Sequence, residues 1–206
     1  MSKINGAVLV LSGPSGAGKS SLVREIIEDI GECYFSISTT TRPMREGEKD
    51  GVDYHFVDKE EFEREVEADQ FLEYAVVHGN YYGTSLRPVK KALTEGKLVI
   101  FDIDVQGNSA IKSRLGDITT SVFITPSTLS ELKKRLQNRS TDEVSVIERR
   151  IAMARKEIQR ASEYEYLLIN DNLQTAAEKL RIIARCARFK KANDEINAFV
   201  NQWEDL

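Results

Sequence analysis

The stretch GPSGAGKS at residues 13–20 constrains the fold of this chain more than any other. It follows the apolar run AVLVLS (residues 7–12) and opens a helix-period segment that starts at Lys19. A glycine-rich turn between a buried strand and a helix lets backbone N–H groups converge on an anion, and the helix N-terminus adds partial positive charge. The spacing G-x-x-x-x-G-K-[ST] supplies two further groups: Lys19 to reach the outer phosphates of a nucleotide, and Ser20 to offer a hydroxyl to Mg²⁺. Polyphosphate binding is thus the expectation. The motif serves many reaction classes, so a second substrate has to be read from elsewhere in the chain.

Apolar runs alternate with helix-period segments along most of the sequence. After residues 7–12 come strand-like runs at 34–38, 97–104, 120–125 and 166–170. Helical patterns fall at 19–29, 107–115, 128–137 and 144–161, and a terminal helix closes the chain. This alternation predicts a three-layer α/β core with a parallel sheet covered on both faces. Capping-box spacing marks helix starts at Asp58 with Glu61, Thr128 with Glu131, and Thr175 with Glu178. Residues 39–85 break the rhythm with the turn-rich RPMREGEKDG, short strands at YHFV and FLEYAVV, and the glycine-rich HGNYYGTS. We read this as an inserted lobe. A second irregular stretch, NRSTDEVS at 138–145, joins two polar helices. With no internal repeat or low-complexity linker, the whole chain reads as one domain with insertions.

Composition narrows the partners. With 206 residues, 41% of them hydrophobic, the chain can bury one substantial core. A net charge of −4 argues against duplex nucleic acid as the main partner and leaves small anions in play. The acidic stretch 46–73 and the Lys/Arg-rich stretch 133–191 read as solvated helix faces. Cys33 and Cys186 are too far apart to suggest a metal knuckle or a disulfide framework, which favours a reducing, cytoplasmic setting. The N-terminal apolar run, cut off by Gly-Pro-Ser-Gly, is too short for a signal peptide, and no run has the length of a membrane span.

Several side chains point to the second substrate. Period-two alternation puts Leu98, Ile100, Asp102 and Asp104 on one strand face, so the two aspartates lie at the crevice where open α/β sheets bind ligands. The alternative is that one of them caps the helix that begins at DVQGN. Arg42 and Arg45 bracket Pro43 within STTTRPMREGEKDGVDYHF (38–56), and guanidinium forks match phosphate oxygens in a bidentate way. If the hydroxyls of Tyr54 and Tyr82 converge there too, the group held is a phosphate monoester. Glu73 shares a face with Phe71, Ala75 and Val77 by strict alternation, and a carboxylate on an apolar face is costly unless it is paired. Guanine fits it: the N1–H and N2 amino group donate to one carboxylate, while O6 and N7 accept from hydroxyls such as Ser38 and Thr84. On residues 144–161, Val144, Ile147, Ile151, Ala154, Ile158 and Ala161 form an apolar stripe with Arg150 at its rim and Arg149 pointing away.

In this order, GPSGAGKS, STTTRPMREGEKDGVDYHF, FLEYAVVHGNYYGT and DIDVQG resemble the guanylate kinase family, over about residues 7–170. The resemblance implies a P-loop core (about 1–36, 86–126 and 160–206), a GMP-binding lobe (about 37–85) and a helical lid (about 127–159). It implies ATP at Gly13, Pro14, Ser15, Gly16, Ala17, Gly18, Lys19, Ser20 and Ser21, with Asn170 near the adenine. Ser38, Glu73, Thr84 and Asp102 would meet guanine, and Arg42, Arg45, Tyr54 and Tyr82 the GMP phosphate. Lys19, Arg42 and the lid arginines Arg139 and Arg150 would act on the transferring group, with Ser20 and, through water, Asp104 serving Mg²⁺. Which of Asp102 and Asp104 meets the metal stays open at this level. The implied reaction moves the γ-phosphoryl group of MgATP to GMP, with dGMP as a further acceptor and a homo-oligomer as one possible assembly. Two other readings carry weight: a catalytically silent module of the same fold that holds a phosphorylated protein, and a monophosphate kinase for another base. A GTPase is disfavoured because no N-K-x-D guanine-reading motif is found.

Overall fold

The computed structural model describes residues 5–77, 79–138 and 144–204. Its elements begin with β1 (Ala7–Ser12), α1 (Lys19–Ile26), β2 (Cys33–Phe35), β3 (Thr39–Thr40), β4 (His55–Phe56), α2 (Lys59–Glu67), β5 (Phe71–Val77) and β6 (Asn80–Ser85). They continue with α3 (Leu86–Thr94), β7 (Leu98–Asp102), α4 (Val105–Leu115), β8 (Thr119–Thr125), α5 (Leu129–Asn138), α6 (Val144–Glu157), β9 (Tyr166–Ile169), α7 (Leu173–Ala187) and α8 (Asn193–Glu204). Two sheets result. The larger has the order β2-β7-β1-β8-β9 with every pairing parallel, and the smaller has the order β4-β3-β6-β5.

Alternation along β1 explains the layers. Leu9 and Leu11 pack with Leu22 and Ile26 of α1 and with Ala177, Leu180 and Ala184 of α7. Val8 and Val10 point the other way, into a core with Val89 and Leu93 of α3 and Ile111 of α4. A strand buried on both faces has no polar side, which is why AVLVLS reads as an unbroken apolar run. Alanines on α7 let α1 approach closely. Arg181 and Arg185 on α7 and Arg188 at its C-terminal cap donate to the carbonyls of Glu25, in the last turn of α1, and of Asp29 and Ile30 just beyond it, respectively.

The smaller sheet is built from residues 39–85 and packs around one aromatic ring. Phe62 of α2 is fully buried, stacked between Phe71 at 4.3 Å and Tyr81 at 5.0 Å. Gly83 is needed beneath this stack, since a Cβ there would come within 2.8 Å of the Phe71 ring and 3.0 Å of Phe62. Asp58 caps α2 by accepting from the Glu61 N–H at 2.7 Å, as its spacing predicts.

Several sequence expectations are corrected. The run 34–38 pairs only over Cys33–Phe35, plus one bond from the Ser36 N–H to Ile100, before the chain leaves for the second sheet. Helix α3 was not expected at all. The helical pattern at 144–161 is α-helical to Glu157 and tightens into a 3₁₀ turn over Ile158–Glu163. The terminal helix is two helices, broken at residues 188–192. The first of them is capped by the Asn172 side chain, which accepts from the Thr175 N–H at 3.0 Å, so Thr175 is inside the helix and not its cap.

The aromatic stack predicts a cost. Phe62→Ala should lose about 3–5 kcal/mol in chemical unfolding, because the cavity lies between two rings that cannot both move in. A loss under about 1 kcal/mol would show that α2 is held by other contacts.

Candidate active site

The turn after β1 is shaped by close approach. Gly13 has φ 142°, and a Cβ there would sit 1.9 Å from the Ile124 carbonyl oxygen of β8. Gly18, with φ 87°, is the N-cap of α1 and offers no side chain to the helix, whereas Asp58, Asp104 and Asn172 cap α2, α4 and α7. No acidic residue occupies the first turn of α1. Its N–H groups and partial positive charge therefore point at the turn without a capping side chain in between. Lys19 Nζ donates to the Gly13 carbonyl at 2.7 Å and lies 3.6 Å from Asp102 Oδ1. Buried Asn170 braces the turn from behind by donating to the Ala17 carbonyl at 2.8 Å. Pro14 and Ala17 are buried, while Ser15 and Ser20 are exposed. Gly16, Gly18, Ser21 and Asn170 line a cavity of about 300 Å³ together with Arg135, Asp171 and Leu173.

A second cavity, of about 500 Å³, opens between the two sheets. Ser38, Tyr54, Glu73, Tyr82, Asp102 and Asp104 all face it, with Gln106 from the first turn of α4. Ser38, Tyr54 and Asp102 also line a neighbouring cleft that reaches Ser20 on α1, so the two regions join near Asp102. Here the smaller sheet departs from strict alternation. A register shift between Phe71 and Glu73 keeps Phe71 and Tyr74 on the Phe62 side, and Glu73 faces the cavity. The expectation that Glu73 and Phe71 share a face is therefore wrong, and the bulge is the reason.

Charge at this cavity is set by burial. Desolvation pushes the Glu73 carboxyl above the usual range, partly opposed by the Thr84 hydroxyl, which donates to Glu73 Oε1 at 2.7 Å. Asp102 is likewise raised by burial and held down by Lys19. Burial also raises the Tyr54 phenol. Its ring meets Tyr82 edge-on at 5.9 Å. The Arg42 guanidinium lies over the rings of Tyr54 and Phe56, at 5.4 and 5.6 Å, and donates to Glu48 Oε1 at 2.7 Å. Arg45, one short turn on, is exposed.

Two expected residues are placed differently or not at all. β7 ends at Asp102, and Asp104 is the N-cap of α4, where its Oδ1 accepts from the Gln106 and Gly107 N–H groups at 2.9 and 2.8 Å. The capping alternative thus holds for Asp104, although it still borders the cavity. Arg139 lies outside the described residues. Arg150 is half-buried on α6 and Arg149 exposed, in line with the stripe, of which Ile147, Ile151 and Ala154 pack against Leu132 and Leu136 of α5. Sequence reasoning missed Gln106, Arg135 and Glu48. Gln106 could have been found from its place next to the Asp104 cap, but Arg135 and Glu48 look like ordinary surface charge until the fold is known.

A family model described as "Guanylate kinase" matches residues 5–185, a span that includes both sheets and both cavities. A guanylate kinase of Sulfurimonas denitrificans is 70% identical over 206 residues, covering all of both chains. The chain belongs to the guanylate kinase family. A guanylate kinase of Helicobacter hepaticus is 50% identical over 96% of this chain and 98% of its own. The crystal structure of guanylate kinase from Anaplasma phagocytophilum superposes with a TM-score of 0.71 at 31% identity, covering 92% of this chain and 89% of that one. Helix α8 lies beyond the segment that matches the guanylate kinase family model.

The Glu73–Thr84 pair is open to a direct check. Thr84→Val removes the donor that favours the ionised carboxylate, so Glu73 should titrate at a higher pH than in the unaltered protein, read by carboxyl NMR. An unchanged titration would mean that the bond does not form in solution.

Proposed function

We propose that the chain transfers the γ-phosphoryl group of MgATP to GMP, giving ADP and GDP. The observation that carries this reading is the placement of a half-buried carboxylate, Glu73, in the same cavity as Tyr54 and Tyr82, with Arg42 against the Tyr54 ring. One end suits the paired donors of guanine and the other a dianionic ester. ATP would lie on the turn 13–21, with its adenine toward Asn170 and Arg135. Ser38 and Asp102 would complete the guanine contacts. Thr84 acts there through Glu73, since its single hydroxyl hydrogen is given to that carboxylate. Residues of about 37–85 form the acceptor lobe, and about 127–159 the lid that brings Arg150 and Arg139 to the transferring group.

The chemistry needs alignment and charge more than proton transfer. The acceptor phosphate has a second pKa of ~6, so its oxygen is largely deprotonated near neutral pH and no general base is required. Lys19 sits at the mouth of the turn, held by the Gly13 carbonyl and Asp102, where it can follow charge onto the outer phosphates. Among the described residues, no group of three or more His, Cys, Asp or Glu side chains could hold a metal ion. Mg²⁺ keeps most of its waters and binds through substrate phosphates and one or two protein groups. The exposed Ser20 hydroxyl would be its direct ligand, with Asp104 contributing through water. Held there, Mg²⁺ would supply positive charge that offsets the charge of the phosphates during transfer. Among the described residues, no helix is long and apolar enough to cross a membrane.

A panel of nucleoside monophosphates assayed with MgATP tests the reading. GMP should be the preferred acceptor, and failure to phosphorylate GMP despite binding it would favour the silent phosphoprotein-binding module. Glu73→Gln should lower kcat/KM for GMP by about 100-fold or more while KM for ATP stays within about threefold, because the paired guanine donors lose one of two acceptor oxygens and meet an amide NH₂ donor in its place. The pH profile separates this from phosphate titration. Protonation puts a hydrogen where guanine needs a lone pair, so kcat/KM for GMP should fall as pH drops through the raised Glu73 pKa. That component should be missing in Glu73→Gln. Equal losses for both nucleotides would defeat the assignment.

A further inference from the structure

Glu48 has no place in the roles above, yet its carboxylate ties together both arginines of the proposed phosphate grip. Oε1 accepts from Arg42 Nη2 at 2.7 Å, and Oε2 accepts from the backbone N–H of Arg45 at 2.7 Å. The Glu48 N–H donates back to the Arg45 carbonyl at 3.1 Å, which closes the turn. Arg42 is held from other sides as well. Its Nη1 donates to the Pro43 carbonyl at 2.7 Å, and its guanidinium lies against the rings of Tyr54 and Phe56, which touch each other edge-on. The side chains of Arg42 and Glu48 are 11% and 20% exposed, so the pair is partly shielded from solvent. Two of the guanidinium's five N–H groups are used in these bonds and the Tyr82 hydroxyl engages it as well, which leaves part of the fork for a ligand.

We propose that Glu48 is a positioning residue for the acceptor phosphate: it pre-forms the fork of Arg42 and Arg45 before the monophosphate arrives. The inference rests on the reading of those two arginines as the phosphate grip. An arginine that is already oriented loses less conformational freedom on binding. The carboxylate also subtracts positive charge from the fork, which works against a dianion. Geometry should outweigh that loss, because a bidentate contact is lost on a small rotation, whereas the guanidinium, in contact with both Glu48 and the Tyr54 ring, keeps its own full charge.

The test is a mutant cycle on the full-length protein, with KM for GMP and for ATP, kcat and thermal unfolding measured for Arg42→Ala, Glu48→Ala, the double variant and Glu48→Gln. Glu48→Ala should raise KM for GMP about tenfold, the size of one coupled pair, while KM for ATP stays within about twofold. In the Arg42→Ala background the same change should add no more than about threefold, the part carried by the Arg45 main chain. Glu48→Gln keeps one acceptor oxygen and should fall between, with the unfolding temperature close to that of the parent. If Arg42→Ala leaves KM for GMP unchanged, the phosphate reading itself fails. If Arg42→Ala acts and Glu48→Ala does not, or Glu48→Ala costs as much without Arg42 as with it, the positioning role is overturned. A KM for GMP that falls in Glu48→Ala would overturn it too, by showing that the carboxylate competes with the substrate.

Discussion

Strand β1 is the element on which the cleft depends. Both of its faces are covered, and it is paired in parallel with β7 on one side and β8 on the other. The register with β7 sets Leu11 opposite Asp102, and the register with β8 sets Ser12 opposite Phe123. The chain therefore leaves the sheet at Gly13 with its backbone against the Ile124 carbonyl, a path no Cβ allows. Lys19 and Asp102 meet because the turn after β1 opens α1 beside the carboxyl end of the neighbouring parallel strand β7, the place where open α/β sheets gather their ligands.

The second sheet adds what the first cannot provide. A parallel sheet whose strands are buried on both faces has few polar side chains to spare. The smaller sheet is mostly antiparallel and half-open, and it carries Glu73, Thr84, Tyr82 and, through β4, the neighbourhood of Tyr54. Joining the two creates a cavity with a half-buried acid on each wall, Glu73 and Asp102, each with one favourable partner: the Thr84 hydroxyl and the Lys19 ammonium. Burial raises both carboxyls, so each is poised to gain from a ligand that donates hydrogen bonds. The same economy appears at Arg42, whose charge is kept oriented by Glu48 and two aromatic rings.

Much of this was legible in the residues. The turn at 13–20, the alternation of buried runs with helices, the inserted segment and the Asp58 cap follow from composition and spacing within short windows. So did most of the cavity lining: Ser38, Tyr54, Glu73, Tyr82 and Asp102 face one space. Misreadings arose where a local rule met a tertiary exception. Period-two counting carried β7 two residues too far, to Asp104, because the strand pattern does not show where a carboxylate turns to cap the next helix. It also put Glu73 on the face of Phe71, since a bulge has no fixed signature in a run such as FLEYAVV. Helix α3 escaped notice because LRPVKKALT begins directly at the end of β6, with Ser85 as an N-cap that makes no side-chain bond.

Residue order alone was sufficient for a glycine-rich turn on a parallel α/β core and for singling out Glu73, which lines the second cavity, because those features depend on the type and spacing of neighbours along the chain. Which way Glu73 faces, what Asp104 does with its oxygens, and that Glu48 holds Arg42 in place emerged only on folding. Each of these rests on a bulge, a cap or a side-chain contact whose geometry the spacing of residues does not encode.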